Sequence, residues 1–176
     1  MVKFSVSSET SFLRAGLGEL KDYLLSNEVF WNAGSSQQLT LGNLLLAKEY
    51  LDGVGKLPAA EAKELAAHKK EWRSAWENKA EREVGARLRQ WTQYLNELVE
   101  HPDRHASYYA TEVRVRMLLE LLAHEAPGVR SQLAAADSTL RSLTASGDFM
   151  WGKDAEAAFP KGKYWFLWVK VKSNRQ

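Results

Sequence analysis

The stretch YATEVRVRMLLELLAHE, residues 109–125, limits the possible folds more than any other part of the chain. On a helical wheel of about 100° per residue, Tyr109, Val113, Met117 and Leu121 fill one face. Val115, Leu118, Leu119 and Leu122 fill another. A helix that is apolar on two broad faces has to be enclosed by neighbours, because each large apolar side chain left in water forfeits about 1.5–3 kcal/mol. The rest of the chain therefore has to build a bundle around it.

A narrow polar seam separates the two faces: His105, Glu112, Arg116, Glu120 and His124. Glu112 with Arg116, and Arg116 with Glu120, are opposite charges at i,i+4 spacing. Buried charges need partners, so the seam is expected to be a structural ladder holding the helix in register. Four of them, Glu112, Arg116, Glu120 and His124, are also a candidate ligand site, with Arg116 gripping an anion and a glutamate serving as base. Bundles hold metals most tellingly on Glu-x-x-His pairs, and this chain has none, so no metal is expected. The pairs Glu120/His124 and His101/His105 are each four apart, but Pro102 interrupts the second.

The flanking elements follow from periodicity and punctuation. VKFSV at 2–6 alternates apolar and polar and predicts a short strand. Thr10 or Ser11 then caps a helix carrying Leu13, Leu17, Leu20 and Leu24. Residues 27–38 read as a loop whose Phe30 and Trp31 tuck under the bundle. Thr40 caps a second helix with Leu41, Leu44, Leu45 and Leu51 inward, stopped by Gly53 and Gly55. From Pro58 to Pro102 there is no proline, and apolar residues recur at helical spacing, predicting a third helix over about 59–100. Such a helix would span roughly 60 Å and overhang its neighbours, with Gly85 as its weak point. Trp72 and Trp76 on the overhang then call for cover, from this chain or from a second copy in a homodimer. Pro127 and Gly128 end the fourth helix, and a fifth runs from about 129 to 146.

The C-terminal segment changes character. From Tyr164 the pattern predicts a strand, with Trp165, Leu167, Val169 and Val171 on one side and Tyr164, Phe166 and Trp168 on the other. A lone strand is unstable, so it should pair with residues 149–151 or with the N-terminal 2–6, joining the chain ends. The expected fold is a single mainly-α domain over 1–176: about five helices, one of them long, with a small β element from the termini.

The functional signals are sparse. The 24 basic and 22 acidic residues leave +2, too little to indicate nucleic acid or an anionic membrane. The absence of cysteine excludes disulfides, thiolate metal sites and cysteine nucleophiles. No nucleophile elbow, phosphate loop or dinucleotide fingerprint occurs, and GVGK at 53–56 is only a helix stop. The mixed charges along 69–89 describe a solvated face. The start lacks a signal-peptide core and no apolar run is long enough to cross a bilayer, so a cytoplasmic protein without membrane association is expected. The leading expectation is a non-catalytic interaction or scaffolding bundle, without cofactor, using Trp72, Trp76, Tyr164, Trp165 and Trp168 as its surface. One alternative is a nucleic-acid binder using the basic, aromatic stretch 161–176, since stacked aromatics beside cations hold single strands. The other is a ligand-binding or hydrolytic bundle built on the seam.

Overall fold

The computed structural model describes residues 2–33 and 37–172. Helix α1 (Val6–Leu25) begins where the Ser5 hydroxyl accepts the Ser8 amide at 3.1 Å. Residues 2–5 are therefore an extended lead into a capped helix, not a strand, and Thr10 and Ser11 lie inside the helix. Phe4 is held by rings rather than by a ladder, stacking on Tyr50 at 4.9 Å and lying 5.6 Å from Trp151. Helix α2 (Leu41–Gly53) starts as expected, with the Thr40 hydroxyl accepting the Asn43 amide at 3.0 Å.

The loop between α1 and α2 is closed by a bridge between Trp31 and Leu39. The Trp31 indole donates to Glu19 at 2.6 Å, whereas Phe30 stays 39% exposed beneath the Arg87 guanidinium. Only one of the two aromatics tucks in.

The long helix breaks, and not at Gly85. Trp72 sits at φ −109°, ψ 38°, dividing the run into α3 (Ala59–Glu71) and α4 (Arg73–Glu100). The break lets α3 fold against α1 and α4 instead of projecting past them. An Arg14–Glu61 ion pair ties α3 to α1, and Leu65 and Trp76 are buried at either side of the joint. The overhang, and with it the need for a second copy to cover Trp76, is gone.

One turn of α4 organises the α1–α2 connection. Lys79, 2% exposed, donates to the Ser26 carbonyl at 2.8 Å and to the Glu28 carbonyl at 2.5 Å, just past the end of α1. Four residues on, Glu83 is fully buried and accepts the Gly42 amide at 3.0 Å in the first turn of α2. A cation at a helix C-terminus and an anion at an N-terminus both oppose the local dipole charge favourably. A Cβ at Gly42 would lie 2.6 Å from the Glu83 carboxylate, so any larger residue there would push that carboxylate off the Gly42 amide.

After the short α5 (Pro102–His105) comes α6 (Tyr109–Leu122), the central helix, packed on α2 and α4. Helix α7 (Arg130–Leu143) ends three residues earlier than expected, and Thr144–Ser146 form β1. Its antiparallel partner is β2 (Val169–Val171), with Ala145 opposite Lys170. The fold is thus mainly α with a small two-stranded sheet, but the sheet joins the end of α7 to the C-terminal segment rather than the two chain ends. The rest of the expected C-terminal strand is a 3-10 turn at Trp165–Leu167. The reason is burial: Phe166 and Leu167 are consecutive and both inaccessible, which an alternating strand on a half-exposed sheet does not allow. Between the two strands, α8 (Lys153–Glu156) carries Trp151 and Phe159 into an aromatic cluster with Phe4 and Tyr164. No helix among the described residues is long and apolar enough to cross a membrane.

Candidate functional site

The seam on α6 does not converge on one place. Arg116, 2% exposed, is gripped bidentately by Asp137 of α7, both bonds 2.7 Å, and bonds Glu120 at 2.9 Å. Its guanidinium lies 4.3 Å over the Phe166 ring. Burial opposes its charge, but Asp137 and Glu120 outweigh that and raise its pKa further. Its fork is taken up by side chains of the chain itself. Asp137 takes the place expected of Glu112, which forms no ion pair among the described residues and turns the other way. His124 is exposed at the helix end, 3.4 Å from Arg130. His105 lies 3.5 Å from Glu97.

Glu112 leads instead to a polar groove between α6, α4 and the starts of α1 and α2. One lobe, about 600 Å³, is lined by Lys3, Glu9, Gln37, Gln38, Asn43, Arg87, Thr111 and Arg114 among others. A second lobe of about 350 Å³ contains Tyr94, Glu97, His105 and Tyr108. Gln90 and Glu112 line both lobes, so the two form one groove.

Two groups in the larger lobe stand out chemically. Arg114 projects from α6 about 200° around the helix from Arg116. It donates to the neutral Asn43 side chain at 2.9 Å and has no ion-pair partner among the described residues. Burial depresses its pKa, Glu9 opposes that fall, and Arg87 adds to it. Glu9 on α1 is 7% exposed, and its carboxylate has neither a hydrogen-bond donor nor an ion pair among the described residues. Burial raises its pKa against the attraction of Arg114. Arg87 is engaged in part, its Nε 3.3 Å from the buried Glu83. Three helices thus bring an unpaired cation and an unpaired carboxylate to the walls of one cavity.

Reading the sequence alone missed Arg114, Arg87, Glu9 and Asn43. The signal for Arg114 was present in VRVR, since an arginine flanked by Val113 and Val115 on an enclosed helix cannot be assumed to reach water. Glu9 carried none.

The aromatic residues expected at a surface are mostly turned inward. Trp76 is buried, its indole donating to Glu125 at 2.9 Å, and Trp72 is half-buried with Lys21 5.3 Å from its ring. Tyr164 is inaccessible and its hydroxyl donates to Glu49. Trp168 donates to the Phe159 carbonyl at 2.9 Å, and Trp165 lies under Arg141 at 3.6 Å. Of the basic stretch 161–176, residues 173–176 lie outside the described residues, while Lys170 and Lys172 are exposed. Among the described residues no group of three or more His, Asp or Glu is placed to hold a metal ion.

Comparison with known protein families, with characterised proteins and with solved structures finds no match.

Proposed function

We propose that the protein binds a small anionic ligand in the groove between α4 and α6, anchored by Arg114. The observation that carries this reading is Arg114 itself. Arg114 is half-buried, and a guanidinium partly withdrawn from water ordinarily meets a carboxylate, because desolvating an ion is costly unless it is paired. Here it meets one amide oxygen and opens on a cavity of about 600 Å³, ample for a small metabolite. The planar fork has donors to spare for bidentate recognition of a carboxylate or phosphate. Binding, rather than turnover, is the role these groups support.

The test is thermal melting of the purified chain with inorganic phosphate, acetate and butyrate, beside the Arg114→Met variant. A ligand at a hundred times its Kd adds about 2.7 kcal/mol of stability. We expect at least one probe to raise the wild-type melting temperature and none to raise that of Arg114→Met. Equal shifts in both proteins, or none in either, would sink the reading.

A second reading, an interaction bundle acting as a homodimer, draws support from a separate groove of about 700 Å³ where Val84, Leu88, Pro127 and Val129 form the apolar walls. Sedimentation tests it: a dimer that Leu88→Glu dissociates supports the reading, and a monomer at high concentration ends it.

A further inference from the structure

We infer that the groove is built for a zwitterion, a small molecule carrying a carboxylate and an ammonium group, with Arg114 taking the first and Glu9 the second. This deepens the anion-binding reading and rests on it. Arg114 and Glu9 line the same lobe yet form no ion pair with each other. Two opposite charges sharing a cavity, each short of partners, leave both ends of a dipolar ligand to be filled. Glu9 is the more telling of the two. It lies more than nine-tenths buried, without a donor among the described residues, at the wall of a cavity rather than in packed core. Its carboxylate oxygens reach the groove rather than a sealed interior, and with no donor from the described residues they are free to accept from a ligand ammonium.

A simple anion would satisfy Arg114 and leave the carboxylate of Glu9 in the same lobe, a like-charge neighbour that weakens its binding without preventing it. An ammonium at the far end of the same ligand turns that repulsion into a charge-assisted hydrogen bond. Glu112 and Thr111 line the same lobe and add further acceptors for an ammonium, while Asn43 already holds Arg114 in position. A cation alone is the poorer match, because it would leave Arg114 unpaired beside Arg87. The reach between the two anchors sets the length of the ligand, so a series of ω-amino acids probes it directly.

The experiment is calorimetric titration of the wild-type chain with glycine, β-alanine and 4-aminobutyrate, each beside its unaminated isostere: propionate, butyrate and pentanoate. We expect one ω-amino acid to bind at least about tenfold more tightly than its isostere, a difference of about 1.4 kcal/mol. Glu9→Gln should erase that advantage while leaving affinity for the plain carboxylate unchanged or higher. Arg114→Met should remove both. The isosteric pairs are compared on wild-type protein, so the inference is exposed even if Glu9→Gln fails to fold. If plain carboxylates bind as well as the amino acids, the zwitterion falls and the anion site stands. If no probe binds, both fall.

Discussion

Replacing Arg116 by methionine is the sharpest test of what holds the central helix in place. Methionine keeps most of the apolar packing over Phe166 but removes the guanidinium that Asp137 and Glu120 share. Breaking a deeply buried pair costs about 3–5 kcal/mol, chiefly because the stranded partners stay charged out of water. Here the partners are not fully enclosed: the Asp137 side chain is 18% exposed and that of Glu120 22%. Both recover some hydration, which places the loss near the lower end, about 3 kcal/mol. For a domain of this size each kcal/mol moves the melting temperature by about 2–4 °C, so a fall of roughly 6–12 °C is expected. Urea denaturation should show a lower midpoint with an unchanged slope. Adding Asp137→Asn to Arg116→Met should recover part of the loss, since the stranded charge is then gone. A single variant that loses less than about 1 kcal/mol, or a double variant no better than the single, would show that the network does not clamp α6 to α7.

Glu83 gives a pH prediction. Burial, the first of its influences, raises its pKa above the ordinary 4.5 despite the Gly42 amide and Arg87, so its contribution to stability is fully present below 4.5 and is lost as pH rises through the folded pKa. Plotted against pH, wild-type stability should therefore decline relative to Glu83→Gln from about pH 4.5 upward; parallel curves would refute the assignment. Gly53→Ala should destabilise although alanine is the better helix former, because its Cβ would sit 2.5 Å from the Ala158 Cα, a backbone atom with nowhere to go. Gly18→Ala, which meets nothing within 4 Å, should instead stabilise by about 0.5–1 kcal/mol, and equal effects at the two sites in chemical denaturation would contradict the packing. A chain ending at residue 162 loses the buried Tyr164, Phe166 and Leu167, each contributing about 1.5–3 kcal/mol, and should show no cooperative melt; an unaltered melt would overturn that account.

Where the sequence could be read and where it could not follows from the range over which each feature is decided. Thr40 as a cap, the two apolar faces of α6 and the ends of α2 are settled within a turn or two of chain, and the residues show them directly. The break at Trp72 has no glycine or proline to announce it; it depends on α3 finding α1, and Glu61, which makes that contact, lies 47 residues from Arg14. The N-terminal alternation was misread because five residues of period two fit an extended lead into a helix as well as they fit a strand. Ser5, by capping, decides between them.

The site shows the same division most sharply. Arg114 and Arg116 differ by two positions and have the same helix propensity, and the charges along the helix single out Arg116 alone, with Glu112 and Glu120 four residues to either side. What separates them is which long-range carboxylate arrives. Asp137, 21 residues on, closes around Arg116 and makes it part of the frame. Asn43, 71 residues back, offers Arg114 a single neutral oxygen and leaves the rest of its fork unmet. The functional candidate is thus defined by a partner that α2 does not supply. A pattern search that pairs charges along one helix favours the satisfied arginine and passes over the unsatisfied one. In a bundle of this kind the arginine left with donors to spare is the one that no carboxylate on another helix reaches at hydrogen-bond distance, and that becomes visible only once the helices are assembled.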